Sequence, residues 1–355
     1  MPAFDDAVAK LRPPDPLAAD EARARHLTLT KPPGALGRLE DAGIRLAAVA
    51  RRCPPPVPAP ATVAVFAGDH GVLAQGVSPW PAEVTAQMVM NFLAGGAAVN
   101  VLARHVGADV VVVDVGVASE LPEAPGLIRA KVRPGTSDLS EGPAMTLEEA
   151  RAALDVGAQV AADLVAAGTR CLLTGDMGIG NTTPSAALIA AFSGSRPDEV
   201  TGRGTGIDDE TMALKVDVVA RALDRTGRAE AAGDPLGALA SLGGLEIAAL
   251  AGYMVGGAAG GVPVIIDGVI AAAAAMVAVA LAPDCSGYLF AGHRSSEPGA
   301  TVALGHLGLD PLVDLDLRLG EGSGACLALP LLQAAAKVIA EMATFDSAGV
   351  TEGQA

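Results

Sequence analysis

The stretch "CLLTGDMGIGNTTP", Cys171 to Pro184, contains an apolar run, a glycine-rich turn and the start of a polar-capped segment. It reads as a strand delivering the chain through a tight loop into a helix. Such a loop can aim successive backbone N–H groups, and the hydroxyls of Thr182 and Thr183, at an anion. Either threonine can cap the next helix, with Pro184 in its first turn. No Gly-Lys-Ser/Thr follows, so the loop is not a triphosphate-binding P-loop. Only Gly178-x-Gly180 is present, so it is not a dinucleotide fingerprint either. The bland alternative is a strand–helix turn that binds nothing. An acid, Asp176, stands at its entrance.

The same grammar recurs along the chain. "TVAVFAGDHG" from Thr62, "DVVVVDVG" from Asp109, "PVIIDG" from Pro263 and "GYLFAGH" from Gly287 are β-branched or apolar runs ending at Gly or Asp, each leading into a helical stretch. They lack polar alternation, as strands covered on both faces do. Strands alternating with helices predict an α/β fold with a mainly parallel sheet. Ligands of such sheets bind beyond the carboxyl ends of the strands. Those ends carry Asp69-His70, Asp114, Asp176, Asp267 and His293-Arg294.

Composition narrows the function. The 355 residues are 51% hydrophobic and 18% charged, enough to bury a large core, and the net charge of −16 opposes a nucleic-acid partner. Mean hydropathy is positive, yet the apolar run Val269 to Ala282 is alanine-rich and short of the ~20 residues a bilayer requires, so it reads as a buried helix and no membrane partner is expected. No basic-then-apolar leader opens the chain, which points to a cytoplasmic protein. Cys53, Cys171, Cys285 and Cys326 lack metal-ligand spacing and read as core residues. The first fifty residues are helical in character and end in the proline connector "CPPPVPAPA". After Gly324 an apolar helix, Ala325 to Met342, leads to a short polar tail expected to fray.

Further motifs carry candidate chemistry. "LRLGEGSGA" sets Glu321 between glycines, open to a ligand, as a general base or only as a helix-start acid. Asp69 and His70 suggest structural hydrogen bonding more than a metal, for lack of a third ligand. In "GVSPWPAEVTAQMVMNF" a helix after Pro81 carries an apolar stripe, Val84, Met88 and Phe92, and a polar one, Glu83, Gln87 and Asn91. Arg294 in "GHRSSEPGA" is available to a carboxylate or phosphate, or to a salt bridge that holds its loop. Lys215, in the helical stretch after "GRGTGIDDE", reads by itself as surface.

Taken together, "LTKPPGALGRLE", "AGDHGV", "GVSPWPAEVTAQM", "GDMGIGNTTP", "GGLEIAALAG", "PVIIDG", "GHRSSEPG" and "LGEGSGA", in this order across nearly the whole chain, resemble the nicotinate-nucleotide:dimethylbenzimidazole phosphoribosyltransferases of cobalamin lower-ligand assembly. The resemblance implies transfer of phosphoribosyl from nicotinate mononucleotide to 5,6-dimethylbenzimidazole, without metal or cofactor. It implies Glu321 as catalytic base, with Asp176 and Lys215 near the reacting groups. Ser78 and Gln87 fall near the benzimidazole pocket. Met177, Gly178, Ile179, Gly180, Asn181 and Thr182 form the mononucleotide loop, with Gly204 and Arg294 completing the substrate-binding set. It further implies a homodimer and a Rossmann-like large domain, here residues 61–324. A small helical domain is built from both chain ends, 1–60 and 325–355. Relatives carry Gly-Glu-Met-Gly where this chain has Asp176, which keeps the carboxylate but withdraws it by one methylene. That departure leaves room for an acceptor such as adenine or a phenol; a mononucleotide-binding protein without catalysis is the remaining alternative, which the retained Glu321 opposes.

Overall fold

The computed structural model describes residues 2–227 and 233–351. Six strands form one sheet: β1 Ala61–Gly68, β2 Ala108–Gly116, β3 Leu127–Arg129, β4 Cys171–Met177, β5 Val264–Ile266 and β6 Leu289–Ala291. Their order is β3-β2-β1-β4-β5-β6, and every pairing is parallel. This is the parallel α/β sheet that the alternating runs predict, Rossmann-like as the resemblance implies. Five strands coincide with those runs. The sixth, β3, escapes the reading because it is a three-residue edge strand, Leu-Ile-Arg, largely exposed and without an apolar run to mark it.

All residues of β1 and β4 are buried, which is why neither alternates. One face of β1 sends Phe66 edge-on into Tyr253 of the helix Leu245–Ala259, which packs beside the helices Leu147–Ala166 and Val269–Leu281. On the other face, Val63 and Val65 meet the turn at Glu321 that opens the helix Ser323–Glu341. The N-terminal helices Pro16–Thr28 and Arg38–Ala50 pack against this last helix and share with it an apolar cluster of Ala22, Ala47 and Ile339.

The tail differs from its expected fraying. Thr30 N–H bonds to the Ala343 carbonyl, and a short helix, Phe345–Ala348, is capped by Thr344, so the chain is tied down through this point; residues 352–355 lie outside the described residues. The run Val269–Leu281 is a thirteen-residue core helix. Two other stretches are long and apolar enough to cross a bilayer by length and composition, 83–106 and Ser323–Glu341. The first is interrupted between the helices Glu83–Leu93 and Ala98–Val106, and the second presents its apolar side chains to the core. Cys171, Cys285 and Cys326 are buried free thiols, and Cys53 is half-buried.

Candidate active site

From β1 the chain moves to β2 on one side of the sheet; from β4 it moves to β5 on the other. Adjacent strands whose connections diverge leave a crevice at their carboxyl ends. Here that crevice is a cleft of about 700 Å³. Its floor is Asp176 to Ile179 and Asn181 from the end of β4, together with Glu321. Trp80, Val84 and Met88 form one wall, and the loop Asp316–Leu319 with Thr205 forms the other.

Glu321 sits at φ +64°, between Gly320 at +80° and Gly322 at +98°. A glutamate in this left-handed region is held by its surroundings rather than by preference. Two contacts do so. Gly175 in β4 lets the turn lie directly on the strand, since a Cβ there would stand 2.6 Å from the Glu321 carbonyl oxygen. Asp267, just past β5, accepts N–H bonds from Gly322 (3.1 Å), Gly324 (2.7 Å) and Ala325 (3.0 Å). The Glu321 carboxylate itself meets the N–H of Val99 at 3.5 Å, at the start of the helix Ala98–Val106. Burial, reinforced by the charge of Asp267, raises its pKa against the opposing Val99 bond. A carboxylate with raised proton affinity is a better general base near neutrality.

The other end of the cleft brings a helix start and a buried lysine together. The helix Thr182–Ser193 starts there, and its N-cap is Asn181 rather than either threonine. The Asn181 side chain turns back to donate to Asp176 Oδ2 at 3.0 Å. Ile179 N–H is held by Thr85 Oγ1 at 3.1 Å. Lys215, contrary to its surface reading, is buried: its Nζ donates to Thr182 Oγ1 at 2.7 Å and to the Gly202 carbonyl at 2.9 Å. The error has a simple cause, since the helix Asp209–Thr226 turns that one polar position inward against the loop after Val200. Burial lowers the amine's pKa to about 8, with Glu297 working in the opposite direction. Gly204 closes the corner, its N–H donating to Glu297 Oε1 at 2.8 Å. Arg318 donates to the Gly204 carbonyl at 2.6 Å and so ties this corner to the Glu321 loop.

Asp176 lies between the two ends. Burial, then the charges of Asp267, Glu246 and Glu321, push its pKa well above the carboxylate range, more than the Asn181 bond lowers it. Its second oxygen is buried without a hydrogen-bond partner among the described residues. Its place on the cleft floor is thus one where burial and neighbouring acids favour the protonated form.

This chain is similar, over its whole length, to proteins of one activity. The family model described as a phosphoribosyltransferase matches residues 11–350. A nicotinate-nucleotide–dimethylbenzimidazole phosphoribosyltransferase of Salinispora tropica is 58% identical over 98% of this chain and 99% of its own. One from Chloroflexus aurantiacus is 52% identical over 99% of each. The chain belongs to this phosphoribosyltransferase family. The crystal structure of the Thermus thermophilus protein of that name superposes with a TM-score of 0.91, at 50% identity, over 96% of this chain and 100% of that one.

Of the positions suggested by the family resemblance, Glu321, Asp176, Met177, Gly178, Ile179 and Asn181 line the cleft. Thr182, Lys215 and Gly204 meet at its other corner, and Gly180 supplies the left-handed turn between the two groups. Three positions do not join them. Ser78 accepts the N–H of Trp80 at 3.2 Å, Gln87 is exposed, and Arg294 is paired with Asp314 at 3.2 Å, its structural alternative. The strand-end acid Asp114 bonds Val117 N–H and faces Lys131, away from the cleft.

Reading the residues missed Trp80, Thr85, Glu297 and Glu246. Glu246 alone carried a visible signal, as the one charged residue of a helix that is otherwise apolar. It pairs with His70 at 2.7 Å, both side chains wholly buried behind Gly178. The pair gives the Asp69-His70 motif the structural role expected of it, with Asp69 Oδ2 accepting Ala118 N–H at 2.7 Å.

Proposed function

We propose that this protein transfers the phosphoribosyl group of nicotinate mononucleotide to 5,6-dimethylbenzimidazole, releasing nicotinate and forming α-ribazole 5′-phosphate. The observation that carries the reading is the placement of Glu321, a carboxylate of raised proton affinity on the cleft floor between an apolar wall and an anion corner. The flat acceptor belongs against Trp80, Val84 and Met88. The phosphate belongs at the corner made by Thr182, Lys215 and Gly204, where an ammonium and a helix start favour negative charge.

The pyridinium nitrogen of nicotinate mononucleotide is cationic, so breaking its bond to C1′ discharges it, and nicotinate leaves with the bonding electron pair. The unprotonated benzimidazole nitrogen attacks C1′ from the opposite side, which inverts β to α. As the new bond forms, the N–H on the other ring nitrogen becomes acidic, and the Glu321 carboxylate takes that proton. A positioned base contributes ~10²–10⁴-fold; the remainder comes from holding both rings in line.

Glu321→Gln is expected to lower kcat for nicotinate release by at least ~10²-fold while the protein stays folded. Near-normal turnover would remove Glu321 from the mechanism. A second acceptor class has one observation in its favour: Asp176 is short, and its Oδ2 is engaged by Asn181. Comparing product formation with dimethylbenzimidazole, adenine and p-cresol decides between them. The homodimer implied by the resemblance and the cytoplasmic location expected from the sequence are carried as part of the same proposal.

A further inference from the structure

Among the described residues the Glu321 carboxylate makes one long hydrogen bond, 3.5 Å from Val99 N–H, so its position depends on how the turn beneath it is fixed. That turn runs through three consecutive left-handed residues into a helix whose N-cap, Gly322, has no side chain to cap it. The cap comes from elsewhere in the sequence. Asp267 Oδ1 takes the N–H groups of Gly324 and Ala325, and Oδ2 takes that of Gly322, the residue next to Glu321. Asp267 is itself fixed, its own N–H bonding to Thr174 Oγ1 at 2.9 Å, one residue before the glycine on which the turn lies. His293 Nε2 stands 3.6 Å from its Oδ1, and the whole arrangement is buried.

We propose that Asp267 is a positioning residue for catalysis: it locks the left-handed turn that aims Glu321 and sets a negative charge beside it. The inference rests on Glu321 being the proton acceptor. Two consequences follow. An asparagine at 267 offers one carbonyl oxygen where three N–H groups must be accepted, so the turn loosens. It also removes a charge that raises the proton affinity of Glu321. The other ionisable groups around the turn are Asp176 on β4, whose pKa the charge of Asp267 also raises, His293 beyond β6, which stands beside Asp267, and Asp316 and Arg318 on the cleft loop; the Glu321→Gln background separates their response from that of Glu321. The helix Ala98–Val106 faces Glu321 with backbone N–H and keeps its Arg104 and His105 at the far end.

The test follows nicotinate release against pH for wild type, Asp267→Asn, Glu321→Gln and the double variant, with thermal unfolding of each. Asp267→Asn is expected to lower kcat by about 10²-fold, because small misplacements of a catalytic group are that costly. KM for nicotinate mononucleotide should stay within about threefold. The acid limb of its kcat/KM profile should move to lower pH, which a merely structural role does not produce. In the Glu321→Gln background, Asp267→Asn should add less than about twofold, since both act through one group. A wild-type kcat with an unmoved acid limb overturns the proposal, as does a full additional loss in the double variant. Full activity of Glu321→Gln alone overturns the reading of Glu321 instead, so the two failures are distinct. If Asp267→Asn does not fold, Thr174→Val is the second variant. It frees the Asp267 backbone but keeps the carboxylate, and should lower kcat about tenfold with the same lack of additivity; additivity there overturns the proposal.

Discussion

Replacing Lys215 with methionine keeps the side chain's length and removes an ammonium that is only 1% exposed. Burial draws that amine from 10.5 to about 8. At about 1.4 kcal/mol per pKa unit, keeping it charged costs the folded state roughly 3 kcal/mol at neutral pH. The folded value is the lower one, so the cost is complete below about 8 and disappears above 10.5, where the amine is neutral in both states. Against it stand the bonds to Thr182 and Gly202, about 1 kcal/mol each. Lys215→Met is therefore expected to be as stable as wild type, or about 1 kcal/mol more so, near pH 7. Relative to wild type it should lose roughly 3 kcal/mol between about pH 7 and pH 10.5. Urea unfolding of both proteins across that range measures this, because the difference cancels the other titrating groups. KM for nicotinate mononucleotide should rise at least ~10-fold in the variant, through loss of a charge-assisted contact to phosphate. A stability difference that does not change with pH refutes the buried, depressed amine. An unchanged KM refutes the phosphate's placement beside it.

Gly178→Ala sets a Cβ 2.3 Å from the Gly68 carbonyl oxygen and 3.1 Å from His70 Nε2, so the loop must shift; turnover should fall at least ~10-fold, a misplacement effect, and a wild-type rate would show that the loop need not be held. Glu246→Gln breaks the buried pair with His70 and should cost about 3–5 kcal/mol. Because the pair raises the His70 pKa, that stabilisation is complete below the unfolded value of 6.5 and fades as pH rises through the folded one. The loss measured by urea unfolding should therefore be larger near pH 6 than near pH 9, and the opposite order contradicts the pairing. Trp80 is the single tryptophan and stands half-exposed at the cleft. Its emission should change on adding dimethylbenzimidazole, and Trp80→Ala should raise the acceptor's KM about tenfold through lost stacking. Unaltered emission at saturating acceptor moves the binding site elsewhere.

How much of the site could be read beforehand depended on whether the signal was local. The loop Gly178–Thr182 was legible because strand, glycines and helix cap are contiguous. Glu321 was legible because glycines on both sides mark an acid with an unusual backbone. Asp267 stood out as a strand-end acid, but its partners lie more than fifty residues on, and nothing in "PVIIDG" indicates three N–H groups converging on it. Lys215 was misjudged for a related reason: a helix pattern gives the polar face but not what packs on it. Thr85 and Glu297, each bonded to a backbone N–H of another segment, look like ordinary helix-surface and loop residues until those segments meet.

By itself the sequence determined the α/β class and the strand-end location of the site. Both follow from period and local turn chemistry, which each segment carries alone. Strand order, and with it the crevice between β1 and β4, was decided only by tertiary structure, because parallel pairing joins residues far apart in the chain. The protonation of Asp176, Lys215 and Glu321 belongs there too. Their proton affinities are set by burial and by neighbouring charges, which exist only once the strand ends have been brought together.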